Sequence, residues 1–174
     1  FLVEFFFCRL FAILEKRCYH VIKKSSSLEE ILVTDGYSIL KNIRDQSKLL
    51  LRIIQQKGPI TRNQIIDMTR MKLTTLKRFM QPLLDEGFVI EADLAKSNGG
   101  RPPVLYDVNP KTYYSIGIDI SRTYTEVVIT NLKMDIIDIN RFGPPQEPVD
   151  TVNQICSYLE NRLIQLSIEK SMVL

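Results

Sequence analysis

Three short stretches of helical periodicity, followed directly by two strand-like runs, limit what this chain can fold into more than any other feature. The first helix is predicted to begin near residue 45 and to end at the Gly-Pro pair 58–59. Thr61 is a suitable N-cap for the second helix, because its hydroxyl can accept from a free backbone N–H. The predicted inward-facing residues of these two helices are Leu49, Leu50, Ile53, Ile54, Ile65, Ile66 and Met68.

A third helix is predicted over residues 72–85. Pro82 lies inside this span and should kink the helix or split off its last turn, since proline has no backbone N–H to donate. Gly87 follows as a C-terminal stop. The predicted inward-facing residues are Leu73, Leu76, Phe79 or Met80, and Leu83 or Leu84.

Two strand-like runs, 88–92 and 104–108, follow the third helix. The polar stretch between them contains Asn98-Gly99, which is a strong signal for a hairpin turn. Three short helices followed by a hairpin make up a winged helix-turn-helix. The sequence therefore predicts this fold for the basic middle part of the chain.

The remaining residues predict an α/β arrangement. Runs at 113–120, 124–130 and 134–139 are rich in β-branched residues, and a helix capped by Asp150 or Thr151 follows. The apolar face of that helix is predicted to be Val152, Ile155, Leu159, Leu163 and Leu166. Three strands and one helix form the first half of a larger α/β domain, whose sheet edge is expected to lack covering strands. The fold class is thus α/β overall.

The distribution of charged residues changes at the same boundaries as the predicted secondary structure. Residues 37–111 carry 13 Lys/Arg against 7 Asp/Glu, whereas residues 112–174 carry 5 against 8 and residues 1–36 carry 5 against 5. A basic block followed by an acidic one indicates two modules, the basic one facing a polyanion. The predicted domains are 37–111 as the winged helix and 112–174 as the partial α/β domain. Residues 1–36 are an extension expected to be non-functional.

Several classes of protein do not fit this composition. The three cysteines have no metal-ligand spacing and are odd in number, which favours a reducing cytoplasm over a secreted disulfide framework. His20 is the only histidine, so neither a His-centred triad nor a multi-histidine metal site is expected. The apolar run at residues 1–14 is too short to cross a bilayer. The sequence thus predicts no metal, no cofactor and no membrane partner.

Double-stranded DNA is the partner that the basic block predicts. DNA recognition needs a helix presented to the major groove and cations placed against phosphates. The start of the second helix can contact phosphates, and an arginine at a hairpin tip can enter the minor groove. The candidate DNA-binding residues are Thr61, Arg62, Asn63, Lys72, Thr74, Thr75, Lys77, Arg78, and, on the wing, Lys96 and Arg101.

The chain resembles the ROK family of repressors and sugar kinases. The motifs that carry the resemblance are residues 60–66, the turn at 83–89, Gly100-Arg101-Pro102-Pro103, Gly117-Ile118-Asp119-Ile120 followed by Thr123, and the hairpin at 131–137. They extend over residues 40–170, and within the family the xylose-responsive repressors are the most similar. The resemblance implies a winged helix followed by an incomplete actin-like (ribonuclease H-like) domain. It also implies binding to operator DNA as a homodimer or higher oligomer, with release when a sugar effector binds.

Some positions depart from the family pattern. Ser121 and Arg122 replace the two glycines at which the family's kinases bring backbone amides to ATP phosphates, so Asp119 and Thr123 remain as a degenerate phosphate motif. Arg70 and Lys72 replace the Gly and Ser of the family's helix-turn-helix turn. The family's zinc-binding cysteines and its sugar-contacting His/Glu motif would lie beyond Leu174.

The leading interpretation is a non-enzymatic, sequence-specific regulator, a repressor of sugar genes of the xylose type. Two alternatives stay open. One is an ATP-dependent sugar kinase of the same family, and the other is a winged helix that binds protein rather than DNA.

Overall fold

The computed structural model of the protein describes residues 35–92 and 103–174. The helices are α1 (Asp35–Asn42), α2 (Asp45–Lys57), α3 (Arg62–Thr69), α4 (Leu73–Asp85) and α5 (Pro148–Gln165), with a 3₁₀ turn at Lys170–Met172. The strands are β1 (Ile60–Thr61), β2 (Val89–Ala92), β3 (Leu105–Val108), β4 (Tyr114–Ile120), β5 (Thr125–Asn131) and β6 (Ile136–Phe142).

The described residues form two compact units. One contains residues 39–113 and 131–135. The other contains 114–130 and 136–174, together with residues 35–38. The first holds the predicted helices and hairpin of the winged helix, and the second holds the predicted strands and helix of the α/β part.

The core of the winged-helix unit lies where α4 packs against α2. Leu50 and Ile54 of α2 and Leu83 of α4 have no exposed surface. Burial of one such side chain contributes about 1.5–3 kcal/mol to the free energy of unfolding. Ser47 adds a polar contact, because its hydroxyl donates to the carbonyl of Phe79 over 2.8 Å in the same buried layer.

A three-stranded sheet of order β1-β3-β2 closes this unit. Both pairings are antiparallel, with Ile60 opposite Tyr106 and Val89 opposite Val108. The predicted hairpin is therefore confirmed in its two strands, and its tip, with Asn98-Gly99, lies outside the described residues. The short strand β1 was not predicted, because its two residues pair with a strand more than 40 positions away.

Three apolar residues that the periodicity placed inside are on the surface. Leu49 is 44% exposed, Met68 50% and Leu73 44%, so this part of the prediction was wrong. Each lies at the margin of an apolar stripe, and the residues at the centre of the same stripes already fill the space between the helices.

Pro82 does not split off the last turn of α4, which was one of the two predicted outcomes: one helix runs from Leu73 to Asp85. The missing N–H of Pro82 removes one hydrogen bond. Leu83, fully buried just after it, keeps the final turn packed on the core.

The second unit has a sheet of order β4-β5-β6 with α5 on one face. Val127 and Ile129 of β5 pack with Ile155, Leu159 and Leu163 of α5, and all five are buried. The predicted apolar face of this helix is thus confirmed at its three central positions, and Val152 and Leu166 are half-buried.

The start of α5 differs from the prediction. The helix begins at Pro148, and neither Asp150 nor Thr151 is its N-cap. Proline suits the first helical position because its fixed φ is already helical and its missing N–H would have had no partner there. The Thr151 hydroxyl instead accepts from the backbone N–H of Gln146 over 3.0 Å.

Arg70, between α3 and α4, has a left-handed backbone with φ 58° and ψ 18°. This conformation costs an L-residue roughly 1–2 kcal/mol, and glycine adopts it freely. The helix-turn-helix therefore carries local strain at this residue.

We expect Arg70→Gly to raise the free energy of unfolding by about 0.5–1 kcal/mol, since the relief of strain exceeds the entropy that glycine adds to the unfolded chain. Lys77→Gly is the matched control, because Lys77 is also exposed and basic but lies inside α4, where glycine destabilises a helix. Chemical denaturation should show a loss of stability for the control. A loss for both variants would contradict the strain at Arg70.

Candidate nucleic-acid interface

The start of α3 is fixed by a capping box. The Thr61 hydroxyl accepts from the backbone N–H of Gln64 over 3.3 Å, and the Gln64 side chain accepts from the backbone N–H of Thr61 over 2.8 Å. The prediction that Thr61 caps this helix is confirmed. A capping box of this kind satisfies two backbone donors that a helix start leaves free.

Arg62, the first residue of α3, faces the wing. Its guanidinium Nη2 donates to the buried hydroxyl of Tyr106 on β3 over 3.0 Å. This bond ties the start of α3 to the sheet and holds the cation in a half-buried position. Asn63 beside it is exposed.

The outward-facing side of α4 carries Thr74, Lys77, Arg78 and Gln81, which we call the outer face of α4. All four are exposed, and they lie opposite Leu76, Phe79, Met80 and Leu83, which are buried. Because successive helical residues are about 100° apart, positions 74, 78 and 81 form one row along the helix. Thr75 is half-buried at the side of this row, and Lys72 is exposed just before the helix begins.

The cations of the outer face are available to a ligand. None of the ion pairs found among residues 35–92 and 103–174 involves Lys72, Lys77 or Arg78. The Arg78 guanidinium lies 4.7 Å from the ring centroid of Phe79, a cation–π contact that restrains the side chain without neutralising its charge.

Gln81 was not among the predicted site residues. Its amide Nε2 donates to Asp85 Oδ1 over 2.7 Å, which restrains the side chain on the outer face. The signal in the sequence was its spacing, seven residues after Thr74 and three after Arg78. The predicted wing residues Lys96 and Arg101 lie outside the described residues.

The turn between β4 and β5 was the other place where the sequence suggested chemistry. The Ser121 hydroxyl accepts from the backbone N–H groups of Thr123 and Tyr124 over 3.3 and 3.1 Å, and donates to the carbonyl of Tyr124. These amides are the donors that a phosphate at this turn would need. The Ser121 side chain therefore engages two backbone donors that a phosphate bound at this turn would need.

Asp119 is also engaged within its own unit. Its Oδ2 accepts from the Tyr124 hydroxyl over 2.9 Å, and this hydrogen bond raises the pKa of that hydroxyl. The Arg141 guanidinium lies 4.4 Å from the Tyr124 ring centroid and pairs with Glu126 over 2.6 Å. Asp119 therefore has a structural partner in this sheet.

Within the described residues, no group of three or more His, Cys, Asp or Glu is placed to hold a metal ion. In the same part of the chain, no helix is both long and apolar enough to cross a membrane.

Comparison with known proteins supports the fold of both units. A family model described as winged helix-turn-helix DNA-binding matches residues 43–90. A crystal structure of a ROK family transcriptional regulator, a homolog of the E. coli MLC protein, superposes with a TM-score of 0.54 at 17% identity, and covers 78% of this chain and 34% of that one.

The similar curated proteins are repressors. The xylose repressor of Bacillus spizizenii is 38% identical over 90 residues, which cover 52% of this chain and 23% of the repressor. The xylose repressor of Bacillus subtilis is 36% identical over the same length. The E. coli regulator NagC is 22% identical over 120 residues, 66% of this chain and 30% of NagC. The chain thus spans about a quarter of the length of the xylose repressors that it matches.

We expect the double variant Lys77→Ala, Arg78→Ala to weaken binding to duplex DNA of any sequence. The slope of log affinity against log salt concentration should also become shallower, by roughly 0.9 for each phosphate that is no longer neutralised, because fewer counterions are released. Fluorescence anisotropy across a salt series measures this slope.

The matched control is Arg122→Ala with Lys170→Ala, which removes the same charge from exposed positions in the other unit. Its slope should equal that of the wild type. An equal slope for the Lys77/Arg78 variant as well would mean that the outer face of α4 does not face DNA.

Proposed function

We propose that this chain is part of a transcriptional regulator of the ROK family and provides the operator-binding part of a repressor of sugar-utilisation genes, with xylose genes as the first candidates. The observation that carries the proposal is the outer face of α4. Two cations without ion pairs among the described residues, Lys77 and Arg78, lie on the helix that a helix-turn-helix presents to the major groove. The xylose repressors named above supply the class of gene.

The predicted contacts divide by role in this proposal. Lys77 and Arg78 bind phosphates and set the affinity, whereas Thr74 and Thr75 approach base edges at the start of the helix. Arg62 and Asn63 contact the backbone from the start of α3, and Thr61 contributes through the cap that orders this turn. Lys72 and the wing residues Lys96 and Arg101 complete the set.

The assembly is part of the same proposal. A homodimer or higher oligomer would place two such helices on half-sites about one turn of DNA apart, and a sugar effector would release them. The boundaries at residues 37–111 and 112–174 then separate the DNA-binding domain from the partial actin-like effector domain.

Selection from a randomised duplex library tests the proposal directly. The wild-type chain should enrich one sequence and bind it at least about 10³-fold more tightly than a scrambled duplex at the same salt concentration, the ratio typical of specific regulators. Failure to retain any duplex would favour a winged helix that binds protein. Retention of all duplexes equally would leave only an electrostatic DNA-binding module.

The kinase alternative is disfavoured by the turn after β4. Phosphoryl transfer needs phosphates positioned by backbone amides and cations. The Ser121 hydroxyl already accepts from the backbone amides of Thr123 and Tyr124, and the Tyr124 hydroxyl donates to Asp119. We therefore propose that the chain regulates genes and catalyses no nucleotide-dependent reaction.

We expect titration calorimetry of the chain with ATP–magnesium to give no heat of binding, because the Ser121 side chain already accepts from the backbone amides of Thr123 and Tyr124 at this turn. Titration with the selected duplex, run on the same protein sample, is the positive control. Micromolar binding of ATP would contradict the assignment of the second unit.

A further inference from the structure

Leu73 is an apolar side chain that the core covers only in part. It is the first residue of α4 and is 44% exposed, whereas Leu76, Phe79, Met80 and Leu83 of the same helix are each less than 9% exposed. These four residues complete the face that packs on the core. The exposed part of Leu73 is therefore available for contact with a ligand.

The surroundings of Leu73 are polar and cationic. Lys72 before it and Thr74 after it are both exposed, so three successive side chains extend from the surface at the start of this helix. Lys77 is four residues later and lies on the same side of the helix as Leu73. A cation and an aliphatic side chain are thus neighbours on the surface that approaches DNA in the proposed function.

In the major groove of DNA, an aliphatic side chain such as Leu73 has one suitable apolar partner on the base edges. The base edges there present hydrogen-bond donors and acceptors, and the C5-methyl group of thymine is their apolar feature. A leucine placed against any other base edge would cover polar groups without giving them hydrogen bonds, which costs free energy. The residues at the start of a recognition helix are those that reach the base edges.

We propose that Leu73 is a specificity-determining residue that contacts a thymine methyl group and makes each half-site require thymine at one position. The proposal rests on the proposed function, because it assumes that α4 enters the major groove. It adds the base that the helix distinguishes and the side chain that distinguishes it.

The test replaces thymidine by deoxyuridine, one position at a time, in the duplex that the wild-type chain selects. Deoxyuridine forms the same base pair and lacks only the methyl group. At one thymine per half-site the substitution should weaken wild-type binding about fourfold, the equivalent of about 0.8 kcal/mol for one buried methyl group. In Leu73→Ala the thymidine and deoxyuridine duplexes should bind equally.

Leu49→Ala is the matched control, since Leu49 is also 44% exposed but lies on α2, outside the helix-turn-helix. This variant should keep the fourfold difference. Because both leucines are exposed, both variants should fold, and their thermal unfolding should match that of the wild type.

The outcomes separate this proposal from the one it rests on. If no duplex is selected, the proposed function fails and this inference fails with it. If a duplex is selected and bound, but Leu73→Ala discriminates deoxyuridine as the wild type does, only the role of Leu73 is overturned. A selected half-site without thymine would overturn it equally.

Discussion

The winged-helix unit depends on the packing of α4 against α2. Leu50 and Ile54 on one helix and Leu76 and Leu83 on the other are almost completely buried, and truncation of one such residue typically costs about 2–5 kcal/mol. This packing fixes the rotation of α4 about its own axis. The rotation in turn decides that Lys77, with Thr74, Arg78 and Gln81, points to the surface. The chemistry of the surface proposed to face DNA is therefore a consequence of the core on the other side of the helix.

The hydroxyls of Thr61 and Ser121 both accept hydrogen bonds from backbone amides, with different consequences for function. Thr61 accepts from the backbone of Gln64 and so orders the start of the helix that leads to the outer face of α4. Ser121 accepts from the backbone of Thr123 and Tyr124, and so removes the donors that a nucleotide phosphate would need. The same kind of hydrogen bond stabilises the start of α3 and engages the backbone amides of the turn between β4 and β5. Together they favour a regulator over a kinase.

Sequence patterns located most elements of the fold, although not α1 or β1, and did not identify every inward-facing residue. Periodicity correctly predicted that Leu50, Ile65, Leu76 and Leu83 would be buried, because these residues lie at the centres of their apolar stripes. It failed for residues at the margins of the stripes, such as Leu73, because exposure there depends on how the neighbouring helix is placed. The candidate site followed the same rule. The cations of α4 were predicted from local spacing, whereas the contact of Arg62 with Tyr106 joins residues 44 positions apart.

The sequence by itself determined the features that depend on neighbouring residues: α2 to α5 and β2 to β6 in their order, the Thr61 cap, the stop at Gly87 with its φ of 71°, and the basic character of α4. Only the tertiary structure decided the pairing of β1 with β3, the continuation of α4 through Pro82 and the exposure of Leu73. The physical reason is the separation along the chain over which each kind of interaction acts. Caps, turns and periodicity act over a few residues of chain, whereas strand pairing and burial are set by side chains that are distant in sequence and adjacent only after folding.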